Sequence, residues 1–175
     1  MGNNSHKILA LKYRPQKFEE LIGQDAIVTT ISNSIKLEKI PNAYLLSGIR
    51  GVGKTTCARL IGKFINCNKH FDHGKKSKTN EFCHCDEISN SKSLDYIEMD
   101  AASKTGIDNV RELIDSSRYN PVQAKYKVYV LDETHMLSKS SFAALLKTLE
   151  EPPPHLKFIF CTTEVKKIPV TIISR

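Results

Sequence analysis

Eight consecutive residues, Gly48-Ile49-Arg50-Gly51-Val52-Gly53-Lys54-Thr55, fit the pattern G-x-x-x-x-G-K-[ST], which works only between a buried strand and a helix. Glycines at 48, 51 and 53 free the backbone to turn, so that successive N–H groups of the loop, Ile49, Arg50 and Val52 included, face one phosphate. Lys54 brings a positive charge to the β and γ oxygens, and the Thr55 hydroxyl is a ligand for Mg²⁺. A helix that begins here turns its positive end toward the same anion and adds Thr56 to the binding set. Both flanks suit this reading. Ala43-Tyr44-Leu45-Leu46-Ser47 reads as a buried strand, and the run Thr56 to Ile65 sets Leu60, Ile61, Phe64 and Ile65 on one helical face. The competing reading is a glycine-rich turn without a ligand, and the flanks weigh against it.

A second strand supplies the other half of a nucleotide site. Lys127-Val128-Tyr129-Val130-Leu131-Asp132 is a nearly continuous apolar run, suited to a parallel sheet covered on both faces. Asp132 at its carboxyl end is placed to hold Mg²⁺, and Glu133 beside it to orient and deprotonate a water. An acidic pair where a strand meets solvent is common, but two matched motifs in this order make a shared site the better account. A water-activating glutamate favours triphosphate hydrolysis over transfer to a small metabolite. After a third apolar strand, Lys157 to Thr162, either Thr162 or Thr163 is expected beside Asp132, within reach of a γ-phosphate.

Around these strands the pattern alternates between helix and strand. Asp25 is expected to cap a helix striped with Ile27, Val28, Ile31 and Ile35. Tyr96 to Asp100 reads as a strand. Ile107, Val110, Leu113 and Ile114 follow at helical spacing. Ser138 is expected to cap a helix burying Phe142, Leu145, Leu146 and Leu149, stopped by Pro152-Pro153-Pro154. The expected class is α/β, an open, mostly parallel sheet with helices on both faces. Residues 1–24 read as an N-terminal arm and 25–175 as the core, with a polar insertion at 67–93.

Composition narrows the setting. A chain of 175 residues makes one ordinary domain, and 40% hydrophobic with 26% charged residues suits a globular protein. The net charge of +7 favours polyanions only weakly. No apolar run approaches the roughly 20 residues of a membrane span. The first residues lack the apolar core of a secretion signal, and the five cysteines form no disulfide framework. No membrane partner and a cytoplasmic location are expected.

With these pieces in place the chain resembles the gamma/tau family of bacterial DNA polymerase III, the ATPases of the sliding-clamp loader, from about residue 10 to residue 175. Beyond the nucleotide motifs, the resemblance rests on Tyr13-Arg14-Pro15 with Phe18 and Ile22-Gly23-Gln24, on Asp100-Ala101-Ala102-Ser103, and on the block Asp132 to Ser138. It rests also on Leu145 to Pro153 and on Ile172-Ile173-Ser174-Arg175. The resemblance implies a P-loop NTPase of the AAA+ type with ATP and Mg²⁺ as cofactors, and a ring of clamp-loader subunits acting with the sliding clamp on primed DNA. It implies an adenine pocket at Tyr13 and Arg14, a sensor threonine at Thr163, and an arginine finger at Arg175 for a neighbour's γ-phosphate. Helix starts at Ser103-Lys104-Thr105 and Ser138-Lys139-Ser140 are implied contacts to the DNA backbone, independent of sequence.

Two departures from the family stand out. Its structural zinc module has one cysteine followed by C-x-x-C-x-x-C; here Cys67 and Cys85 fit outer positions, Phe82 and Thr79 stand at inner ones, and Cys83 is out of register. Cys67, Cys83 and Cys85 with His70, His73 or His84 make an altered zinc site, and a metal-free loop is the alternative. The family continues beyond Ser174-Arg175 into a helical lid and a collar, which these residues do not include. A truncated remnant that binds nucleotide without hydrolysing it is therefore the alternative to an ATP-driven motor core, and a P-loop kinase is a more distant third.

Overall fold

The computed structural model describes residue 9 and residues 13–37, 39–66, 85–89, 92–104 and 106–175. Four parallel strands form one sheet: β1 (Ala43–Ser47), β2 (Tyr96–Asp100), β3 (Lys127–Asp132) and β4 (Leu156–Thr162), in spatial order β1-β4-β3-β2. β4 begins one residue ahead of the expected run because Leu156 pairs with Lys127 and is fully buried. The helices are α1 (Asp25–Lys36), α2 (Lys54–Asn66), α3 (Cys85–Ser89), α4 (Ile107–Ser117), α5 (Lys139–Glu150) and α6 (Val170–Ile173).

Side-chain alternation divides the strands between two apolar layers. Tyr129, Leu131, Phe158 and Phe160 meet Val110, Leu113, Phe142 and Leu145 of α4 and α5 on one face. Val128, Val130, Ile159 and Cys161 meet Ile31 and Ile35 of α1 and Leu60, Ile61 and Ile65 of α2 on the other. With both faces covered, β3 and β4 need no polar side, which explains their unbroken apolar runs. β1, expected to be buried, is only partly covered and leaves Leu45 exposed. The fold is the expected α/β P-loop NTPase arrangement.

Some details differ from expectation. Gln24, not Asp25, occupies the cap of α1, and it makes no side-chain cap bond. Asp25 is instead the first helical residue, where its charge favours the positive end of the helix. Ser138 does cap α5, its Oγ accepting from the Ser141 N–H at 3.1 Å. In the segment expected as an arm, Phe18 is buried in the second apolar layer and lies edge-on to Phe64, ring centroids 4.9 Å apart.

α2 is fastened to the edge strand β2 at two levels. Gly62 leaves room for the Tyr96 ring; a Cβ at Gly62 would lie 2.4 Å from Tyr96 Cε2. One turn earlier, Arg59 makes a two-bond pair with Glu98, both contacts at 2.6 Å. That carboxylate holds the guanidinium pKa above its ordinary value.

Candidate nucleotide site

The glycine loop begins where β1 ends, and its first N–H, from Gly48, donates to the Thr162 carbonyl of β4 at 3.2 Å. Gly51 and Gly53 have φ of 82° and 98°, in the region where a side chain is strained, so these glycines make the turn possible. Lys54 Nζ donates to the Gly48 and Ile49 carbonyls, each at 3.0 Å, which fixes its ammonium inside the loop. Thr55 Oγ1 donates to Asp132 Oδ2 at 2.7 Å. Hydroxyl and carboxylate oxygens side by side are the hard donors that Mg²⁺ takes, so the pair fits that ion.

Glu133 has left-handed backbone angles, φ 47° and ψ 44°, and no other described residue except glycine has a positive φ. Such a conformation costs on the order of 1–2 kcal/mol, so its surroundings must enforce it. They do: the Glu133 N–H donates to Asp132 Oδ1 at 2.9 Å, and the Glu133 carbonyl accepts from the Met136 N–H at 2.8 Å. Beneath it Thr134 is fully buried, its hydroxyl donating to the Leu131 carbonyl at 2.7 Å and reaching the Cys161 carbonyl at 3.1 Å. The turn is thereby tied to both central strands.

Of the two threonines at the end of β4, only Thr163 lines the site. Its hydroxyl donates to Glu133 Oε2 at 3.4 Å. Thr162 is buried; its Oγ1 accepts from the Glu164 N–H at 3.0 Å and lies 3.1 Å from His135 Nδ1.

The loop, Asp132, Glu133 and Thr163 border a cleft of about 1270 Å³. Its lining comes from three stretches of chain: Tyr13, Arg14 and Leu21; residues 49–56; and Asp132 and Glu133 with Thr163. Asp100, Ala102, His135 and Met136 also line it and had no assigned place there. Asp100 was within reach of sequence reasoning, because it ends β2 opposite Asp132 and sites in such sheets lie beyond the carboxyl ends of the strands. His135 and Met136 had no such signal.

Other expected residues lie elsewhere. Arg175 is half exposed, pairs with Glu150 at 2.8 Å, and does not line the cleft. Lys104, Lys139 and Ser140 are exposed, whereas Thr105 lies outside the described residues. Cys67 and Cys83, with His70, His73 and His84, also lie outside them; Cys85 begins α3. Among the described residues no group of three or more His, Cys, Asp or Glu could hold a metal ion, and no helix is long and apolar enough to cross a membrane. The zinc expectation for Cys67, Cys83 and Cys85 therefore gains no support.

Residues 23–175 match the family model described as DNA polymerase III, delta subunit. The chain is 52% identical over 98% of its length to DNA polymerase III subunit gamma of Buchnera aphidicola (subsp. Acyrthosiphon pisum), and covers 46% of that protein. It is 48% identical, again over 98% of its length, to subunit tau of Escherichia coli K12, and covers 26% of it. The chain thus spans about half or less of these relatives. Among solved structures, a gamma-subunit-related protein of Thermotoga maritima superposes with a TM-score of 0.60 at 19% identity, over 85% of this chain and 43% of that one. The RuvB Holliday junction branch migration motor of the same organism gives 0.61 at 17%, over 93% and 46%. At these identities the two structures bear on the fold alone.

Proposed function

Because the chain belongs to the DNA polymerase III delta-subunit family and is similar over nearly its whole length to gamma and tau subunits, we propose that it is the ATP-binding and ATP-hydrolysing core of a clamp-loader subunit. The 2.7 Å contact between Thr55 and Asp132 carries this reading, since it joins the two halves of a triphosphate site in one cleft.

In that site the loop N–H groups and Lys54 bind the β- and γ-phosphates, while Tyr13 and Arg14 wall the base. Thr55 and Asp132 hold Mg²⁺, which when bound neutralises charge on the phosphate oxygens. Glu133 takes a proton from the attacking water as its oxygen bonds to the γ-phosphorus and the bond to the leaving β-phosphate oxygen breaks. Thr163 steadies the Glu133 carboxylate and the γ-phosphate end. Arg175 serves a neighbouring subunit's site in a ring-like assembly, stabilising charge on that γ-phosphate. The exposed helix starts near Lys104 and Lys139 meet the backbone of primed DNA, the sliding clamp is the cargo, and the location is cytoplasmic.

The test is ATP binding and turnover by the full-length gene product with its partner subunits and primed DNA. Lys54→Ala is expected to lose nucleotide binding, and Glu133→Gln to keep binding while losing turnover. Normal turnover by Glu133→Gln would remove Glu133 from its role; nucleotide binding without turnover by the unaltered protein would favour a remnant.

A further inference from the structure

His135 stands between the water-activating glutamate and the exit of β4, and the reading above gives it no part. Its side chain is only 7% exposed. Nδ1 lies 3.1 Å from Thr162 Oγ1 and 3.6 Å from Glu133 Oε2, and Nε2 lies 3.6 Å from Glu164 Oε1. A single imidazole thus faces three polar groups on two segments. Thr162 is tied to the Glu164 N–H, and Glu164 is tied to Lys167 at 2.9 Å. Between those two anchored residues sits Thr163, whose hydroxyl meets the same Glu133 oxygen that His135 faces.

Glu133 needs such a brace. Its strained backbone is held from below, but among the described residues its carboxylate has only the long Thr163 contact and the imidazole to direct it. A carboxylate that swings even about 1 Å loses its line to an attacking water, at a cost of about 10²-fold in rate.

We propose that His135 is a positioning residue: it holds the Glu133 carboxylate and the Thr162–Glu164 turn in one arrangement, so that Glu133 and Thr163 face the γ-phosphate together. The proposal rests on Glu133 being the water-activating residue. It requires a polar ring at position 135, not merely a filled space, because the contacts run to a hydroxyl and two carboxylates.

Kinetics and NMR on the full-length protein test it. His135→Ala and His135→Leu are expected to lower kcat about 10²-fold with nucleotide affinity unchanged. His135→Asn, whose amide reaches the place of Nδ1, is expected to recover activity to within about ten-fold of the original. Recovery by Leu as well as Asn would reduce His135 to packing, and an unchanged kcat in all three would overturn the proposal. The ring ¹⁵N resonances of His135 are expected to move in Glu133→Gln. That readout needs no turnover, so it judges the contact even if Glu133→Gln hydrolyses ATP and the underlying reading falls. Resonances that stay put would show that His135 does not brace Glu133.

Discussion

The Thr55 hydroxyl donates to the Asp132 carboxylate across 2.7 Å, although the two residues lie 77 positions apart. In the proposed site this pair would hold a divalent cation against the triphosphate. Thr55→Ala should lower turnover by about 10²-fold, in the range seen when one preorganised group is lost from a charged transition state. Calorimetry of ATP binding should show the loss of affinity with Mg²⁺ present and little change in EDTA. An equal loss under both conditions would mean that Thr55 acts on the loop itself.

Gly62→Ala sets two effects against each other. Alanine favours a helix over glycine by about 1 kcal/mol. Its Cβ would, however, come within 2.4 Å of Cε2 and 2.6 Å of Cδ2 of Tyr96, a ring 3% exposed that has little space to retreat. Overpacking of this kind costs about 1–3 kcal/mol, so we expect net destabilisation. Urea unfolding should show it, and Tyr96→Leu in the same chain should relieve it.

Asp95 is 2% exposed, and its carboxylate accepts the N–H groups of Val122, Gln123 and Ala124, each at 2.8 Å. Those bonds fold the connection between α4 and β3 against the sheet. Asp95→Ala is expected to cost about 2–4 kcal/mol, the scale of losing bonds to a buried charge. Amide exchange should accelerate first at residues 122–124. Uniform acceleration across the domain would argue against a local anchor.

Cys57 in α2 and Cys161 in β4 are both buried, and burial pushes both thiol pKa values up from their ordinary 9.0. Peptide-resolved alkylation should leave both untouched in the folded protein and label them after unfolding. A raised folded value also means that the native state keeps protons that the unfolded chain releases. The stability linked to these thiols is full below pH 9.0 and is lost as pH climbs toward the folded values. Cys161→Ala should flatten the fall of the melting midpoint above that pH.

The centre of the sheet was readable because β3 and β4 are covered on both faces, so burial wrote itself into unbroken runs such as Val128 to Leu131. The phosphate loop was readable because its conformation demands glycine at positions such as 51 and 53. The choice between Thr162 and Thr163 came from the family resemblance and not from the residues themselves. It depends on which hydroxyl the half-buried His135 and the Glu164 N–H claim, and that is decided across strands. The cap of α1 escaped for a related reason: Asp25 has a capping side chain, but the chain enters the helix at Gln24.

The double fastening of α2 to β2, through Gly62 against Tyr96 and Arg59 against Glu98, gives the nucleotide-binding half of the cleft a stator. The phosphate loop cannot ride outward on its helix without dragging an edge of the sheet. At the same carboxyl end of the parallel strands, the Glu133 turn and the Thr163 corner are fastened to the central strands and to each other, so both halves of the cleft are anchored in the sheet.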